Sequence, residues 1–141
     1  MARVYKATRA TRAFNSFALW LARRGWGTQV ALTTTGRVTA RQRTVPVTPL
    51  DIEGTGYLVS PYGQVAWVRN ARANPLVKLR HGRQEREVRL MELKPEQAAR
   101  LLHEYWKSEK FVRPYFDVGP NPTTVDFRAE AVSHPVFRII T

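Results

Sequence analysis

The residues best placed to do chemistry lie between Tyr57 and Pro75, in the stretch YLVSPYGQVAWVRNARANP. An apolar run (Tyr57, Leu58, Val59) ends at Ser60, a Pro-Tyr-Gly corner follows, and a short helical pattern with Trp67, Arg69, Asn70 and Arg72 is stopped by Asn74-Pro75. A strand, a tight turn and a helix start are expected here. The first turn of a helix leaves backbone N–H groups without partners and carries partial positive charge, so the corner is able to receive an anion, with Arg69 and Arg72 on one helical side to help. A strand-to-helix corner with a solvated basic face explains the same residues without a ligand.

Side chains for covalent or metal chemistry are scarce by comparison. There is no cysteine, which removes disulfides, thiolate nucleophiles and cysteine-held zinc or iron–sulfur centres. His81, His103 and His134 are far apart with no ligand-like spacing, so no metal site is expected. The glycines do not follow the dinucleotide-binding pattern, and Gly36 lacks the rest of a P-loop. Ser60 precedes proline outside any nucleophile-elbow context, Ser133-His134 reads as loop, and the acids are too scattered for a glycosidase-type pair. An enzyme built this way needs a bound cofactor for the difficult step.

Charge narrows the partner. The chain of 141 residues carries a net +12, and up to Leu50 it holds nine basic residues (Arg3, Lys6, Arg9, Arg12, Arg23, Arg24, Arg37, Arg41 and Arg43) with no Asp or Glu at all. Such asymmetry points to an anionic partner, whether nucleic acid, a membrane surface or a small polyanion. A basic surface that serves solubility alone is the plainer account.

Stepping along the chain gives the elements that must position these groups. The length fits a single domain over residues 1–141, with residues 1–27 an N-terminal amphipathic helix. Within it Phe14, Phe17, Ala18 and Leu21 fall at i, i+3, i+4 and i+7, and this face is expected to cover one side of a sheet. The same arginine-rich, acid-free segment resembles an interfacial helix, which leaves peripheral membrane association open. No apolar run approaches the ~18 residues that cross a bilayer. Lacking a secretory signal, the chain is expected in the cytoplasm.

Strands are expected over Gln29–Thr35 and over Arg43–Ile52, where Pro46 and Pro49 mark an edge or a bulge. Tyr57–Ser60 is the third, Val77 and Leu79 belong to the fourth, and Arg86–Leu93 is the fifth, with a bulge where Met91 and Leu93 break the alternation. Lys94-Pro95-Glu96 opens a helix that buries Ala98, Leu101, Leu102 and Tyr105, and Val136–Ile140 is a last short strand. About six strands with short turns and peripheral helices make an α+β fold on a mainly antiparallel sheet curled into a barrel.

Two segments at this spacing carry a resemblance. LTTTGRVTARQRTVP (Leu32 to Pro46) together with WVRNARANP (Trp67 to Pro75) resembles the deazaflavin-dependent nitroreductase family, whose members are split β-barrels. The likeness runs from about Gln29 to Leu93. It implies binding of the deazaflavin coenzyme F-420, with flavin mononucleotide (FMN), haem or lipid held by relatives on the same barrel. It also implies hydride transfer to a small electron-poor acceptor such as a quinone or nitro compound. That coenzyme carries a phosphate and an oligoglutamate tail, a small polyanion that agrees with the charge argument.

On this resemblance Arg37, Arg41 and Arg43 with the Thr35-Gly36 backbone would hold phosphate or tail. Ser60 and the N–H groups around Tyr62 and Gly63 would face the deazaflavin edge. Trp67, Asn70 and Pro46 would shape the wall, and Tyr115, then Tyr62, would give the acceptor a hydrogen bond or proton. The chain departs from the family pattern at Val38, Thr39 and Ala40, and Pro61 stands where a basic residue is common, which passes part of the expected phosphate grip to Arg41 and Arg69. The rival reading is a non-catalytic module with arginines on phosphates and aromatics on bases of nucleic acid. It leaves the Pro-Tyr-Gly corner unexplained. Nothing in the sequence sets an oligomeric state.

Overall fold

Pro46 and Pro49 divide one extended run between two partners. In the computed structural model, which describes residues 2–6 and 8–141, β1 (Val30–Thr35) pairs antiparallel with β2 (Gln42–Val47), while β3 (Pro49–Ile52) pairs antiparallel with β4 (Thr55–Val59). Thr48 alone separates β2 from β3. With β5 (Leu76–His81), β6 (Gln84–Glu92) and β7 (Val136–Ile140) the strand order is β2-β1-β5-β6-β7-β4-β3. The two edges of this seven-stranded sheet are therefore one stretch of chain bent at Thr48, and the sheet curls round on itself. The single strand expected over Arg43–Ile52 is thus two, because a run that closes a barrel must turn from its first neighbour to its last.

Alternation decides what lies inside. Leu32, Val47, Leu58, Val77, Leu79, Val88, Leu90, Phe137 and Ile139 point into the curl and are joined there by Trp67, Val68 and Ala71 of α2 (Ala66–Ala73). The opposite faces of β4 and β7 present Val59 and Val136 to a second layer, built from α3 (Pro95–Ser108) and the 3-10 turns Lys110–Tyr115, Thr124–Phe127 and Ala129–Val132. Leu93 belongs to that second layer. The bulge expected near Met91 and Leu93 is not formed: one register runs from Arg89↔Ile140 to Glu92↔Phe137, and the Leu93 N–H continues it to the Val136 carbonyl at 2.8 Å. An apolar residue off the interior pattern here marks a second covered face.

The first helix is rotated relative to the expectation: of the expected face Ala18 is buried and Leu21 partly so, while Phe14 and Phe17 are not. α1 (Arg9–Arg23) starts in a capping box between Thr8 and Thr11 and packs on β1, β2 and β5 through Ala18 and Ala22, whereas Phe14 and Phe17 are 61% and 58% exposed. Small residues let the helix lie close to the sheet. At its end the Gly82 N–H reaches the Ala22 carbonyl at 2.7 Å, and a Cβ on Gly25 would come within 3.2 Å of the Gly82 Cα. Both glycines have positive φ, so neither position accepts a side chain without strain.

A buried polar pair closes the end of β7. His134 is 3% exposed, stacks on Phe116 at 4.0 Å, and brings Nε2 to 3.7 Å from the Glu130 carboxylate, which accepts the Asp117 N–H at 2.7 Å. Burial pushes the His134 pKa below its ordinary 6.5, against the pull of Glu130 and of the Tyr115, Pro61 and Ser60 carbonyls. Neutral His134 is the folded form and the unfolded chain binds the extra proton, so the stability this group contributes is present above pH 6.5 and is lost as pH falls through the folded pKa. Urea denaturation at about pH 7.5 and about pH 5 should show this acid loss in the wild type and a shallower one in His134→Gln.

Candidate functional site

A tight loop sets the cationic side of the site. From the end of β1 the chain folds back so that the Gly36 N–H donates to the Arg41 carbonyl at 2.7 Å and the Ala40 N–H to the Gly36 carbonyl at 3.1 Å. A Cβ on Gly36 would sit 2.9 Å from that Arg41 oxygen, so glycine is required for the closure. Asn70 of α2, 1% exposed, anchors the loop from below: its Oδ1 accepts from the Arg37 N–H at 3.3 Å and from Arg37 Nη1 at 2.9 Å, and its Nδ2 donates to Thr34 Oγ1 at 3.2 Å. Arg43 lies opposite Thr34 in the β1–β2 ladder, on the strand face that carries Val45 and Val47 inward. Arg37, Arg41 and Arg43 are exposed, and none enters an ion pair among the described residues. A cluster of cations without counter-charge is suited to an anion.

The Pro-Tyr-Gly corner is held from within. Ser60 is fully buried, its Oγ donates to the Gly63 carbonyl at 2.6 Å and its N–H to the Pro135 carbonyl at 2.9 Å. The serine hydroxyl therefore closes the turn, engaged inside the corner. Outside, Gln64 Nε2 donates to the Val132 carbonyl at 2.7 Å, and Arg72, expected to help receive an anion, makes a two-pronged pair with Glu92 at 2.7 and 2.8 Å. Its charge is already matched. α2 begins after Val65 with no side-chain cap, and Arg69 stays exposed.

Between α1 and the barrel lies a cavity of about 70 Å³ lined by Pro46, Val47, Val59, Tyr62, Trp67 and Tyr105, and covered by Phe14, Asn15 and Phe111. Trp67 serves both as its wall and as core, 5.5 Å from Phe137. Tyr62 stands on this cavity, with Tyr5 stacked on it at 4.3 Å and Tyr115 edge-on at 5.0 Å. Burial, and the neighbouring phenols Tyr115 and Tyr5, push the Tyr62 pKa up, so it remains a protonated donor. Tyr115 does not line the cavity, and reaches it only through Tyr62.

The structure thus gathers Arg37, Arg43, Asn70 and Thr34 at one end of α2 and Pro46, Tyr62 and Trp67 at the other. Phe14, Asn15 and Phe111 were not singled out as cavity residues by the sequence, because their contribution depends on which way α1 and the Lys110–Tyr115 turn settle. A wider hollow, about 650 Å³ between Thr28, Pro49, Leu79, His81 and Arg86, contains none of the expected residues. Arg80, Arg86 and Glu85 all stand on its lining, so its one acid offsets part of the positive charge. Removing the anchor should loosen the loop. Asn70→Ala leaves Thr34 and the Arg37 N–H without their partner, at about 1–3 kcal/mol of stability, read as a lower denaturation midpoint at unchanged slope.

Comparison with known proteins bears on this arrangement. Similar solved structures include an F-420-H2-dependent reductase (22% identity, 79% of this chain and 93% of that one, TM-score 0.53). An FAD-binding protein from Mesorhizobium loti matches at 18% identity over 98% of this chain and 91% of its own, TM-score 0.52. A NimC/NimA family protein from Clostridium acetobutylicum matches at 13% identity over 89% and 81%, TM-score 0.57. At such identities they establish the split-barrel fold. No curated protein sequence matches the chain significantly. Residues 7–119 match the F-420H(2)-dependent quinone reductase family, and the chain belongs to it: a split-barrel oxidoreductase that works with coenzyme F-420.

Proposed function

We propose that this oxidoreductase reduces a quinone or a comparable electron-poor ring, with the Gly36–Arg41 loop holding the coenzyme's anionic part and the cavity under α1 receiving the reacting rings. The observation that carries this reading is the set of three exposed guanidinium groups on and just after the Gly36–Arg41 loop, none of them ion-paired among the described residues, with an aromatic-walled cavity at the other end of α2. When bound, the coenzyme supplies the hydride. Arg37, already ordered by Asn70, and Arg43 at the barrel mouth supply charge-assisted hydrogen bonds to phosphate or carboxylate. Arg41 and Arg69, both exposed, extend the positive field beyond them.

At about 70 Å³ the cavity is smaller than the ~300 Å³ or more of a typical ligand pocket, so on this reading Phe14 and Phe111 shift to admit a ring. Pro46, Val47, Val59 and Trp67 keep water away from the reacting atoms. An acceptor oxygen that gains negative charge needs a donor, and the Tyr62 hydroxyl, kept protonated by burial, is a group on the cavity that can supply one. Tyr115, packed on Tyr62, positions it.

Titration of the protein with reduced F-420 and, in parallel, with FMN tests the coenzyme site, and turnover with a soluble benzoquinone and a nitroaromatic compound tests the acceptor. Arg43→Ala is expected to weaken F-420 binding by ~1.5–3 kcal/mol, the usual value of a hydrogen bond to a charged group. Unchanged affinity would remove Arg43 from the cradle. Tyr62→Phe should slow turnover by roughly 10²-fold or more with coenzyme affinity kept, and Tyr115→Phe should slow it less; equal turnover in Tyr62→Phe would end its role as donor.

A further inference from the structure

In a chain of net charge +12, one carboxylate is left without a counter-charge. Glu109 is half-buried at the junction of α3 and the Lys110–Tyr115 turn, where its N–H donates to the Tyr105 carbonyl at 2.8 Å. Its side chain enters no ion pair and accepts no hydrogen bond among the described residues. Burial alone pushes its pKa above the ordinary 4.5. Glu109 also caps the C-terminal, negative end of α3, and Lys107 in the last turn is already held by Glu104 at 2.8 Å. Helix end and carboxylate together favour a cation.

The surroundings of this carboxylate are aromatic. A hollow of about 260 Å³ beneath α1 is lined by Glu109 with Phe14, Trp26 and Phe111, whose rings are 61%, 54% and 58% exposed. Its volume comes close to the ~300 Å³ at which ligand pockets begin. No lysine or arginine lines it, and Arg9, Arg12, Arg23 and Arg24 are exposed, the last over the Trp20 ring at 4.8 Å. Salt screens such exposed charges, and screens much less a partner in contact with a half-buried carboxylate. Aromatic faces carry negative charge, so several rings around one carboxylate make a receptor for an organic ammonium group.

The hollow adjoins the reacting site. It shares Phe14, Gln29, Thr48 and Phe111 with the cavity that holds Tyr62. The charge of Glu109 is felt across that boundary: burial first, and then the Glu109 carboxylate, push up the pKa of Tyr105 on the cavity wall. A carboxylate so placed opposes the negative charge that an acceptor gains on reduction, and a positive group on the acceptor cancels the opposition. We propose that the hollow beneath α1 is a binding site for an organic cation, and that the acceptor favoured by this enzyme carries an ammonium-type substituent on its electron-poor ring. The acceptor clause rests on the reading given under Proposed function. The cation site itself does not.

Binding without coenzyme separates the two. Choline, the alcohol in which tert-butyl replaces its trimethylammonium group, and the carboxylate of tert-butylacetic acid have nearly the same shape and differ in charge. Titrations followed by NMR broadening of their methyl signals should show choline bound about ten-fold or more tighter than the neutral alcohol, and the carboxylate not bound. Glu109→Gln should lose about ten-fold in choline affinity and keep that for the alcohol, whereas Trp26→Leu should weaken both and carries the test if Glu109→Gln fails to fold. With coenzyme bound, a benzoquinone bearing a trimethylammoniomethyl group should exceed the same ring bearing neopentyl in kcat/KM. That preference should collapse in Glu109→Gln while turnover on unsubstituted benzoquinone is kept or rises. The proposal is overturned if wild-type protein binds choline no more tightly than the alcohol, or if Glu109→Gln retains full choline affinity. Choline bound through Glu109 without a preference for the cationic quinone strikes out the acceptor clause. Choline bound in this way by a protein that turns over no quinone or nitro compound sinks the reading under Proposed function and upholds the cation site.

Discussion

The structure depends on the bend at Thr48. A curled sheet has two edges whose N–H and C=O groups need partners, and here one stretch of chain serves both, pairing with β1 before Thr48 and with β4 after it. Proline on either side makes that exchange cheap, since Pro46 and Pro49 lack the donors an uninterrupted central strand would need. Everything at the site is hung on this closure. Arg43 and Pro46 stand on the segment before the bend, and the Tyr57–Gly63 corner is reached through the strand paired after it.

α2 converts that closure into a site. Its buried face sends Trp67 and Val68 into the barrel core and Asn70 to Thr34 and Arg37, so a helix of eight residues ties hydrophobic packing to the loop that gathers the arginines. The buried amide is saturated by groups from the loop it orders, the arrangement in which a polar side chain inside a protein costs least and specifies most. The corner before α2 is fixed in the same way, from inside by Ser60 and from outside by Gln64 and by the Arg72–Glu92 pair. The exposed pair contributes little stability by itself, and its effect is to tie the last turn of α2 to β6.

Ion-paired arginines and lysines among the described residues all lie after residue 70: Arg72, Arg100, Lys107 and Arg128 each have a carboxylate within 2.9 Å. The basic residues of the first third have none among the described residues, on the loop after β1 as on α1.

Much of this was legible in the letters. Alternation gave the strands, Pro95 the start of α3, and Thr-Thr-Gly-Arg with the α2 segment the family, because these signals are local and each is read within a few residues. The charge imbalance, a matter of where the basic residues fall along the chain, already pointed to an anionic partner. What the letters left open was direction and reach. Phe14 and Phe17 satisfy a buried helical face as well as Ala18 and Ala22 do, and the choice fell to the small residues because only they allow the close approach sealed at Gly25 and Gly82. Whether Ser60 offers its hydroxyl outward or folds it into the turn, whether Arg72 is free, and which tyrosine meets the cavity depend on contacts between residues far apart in sequence. Those contacts exist only once the sheet has closed, and no local pattern encodes them.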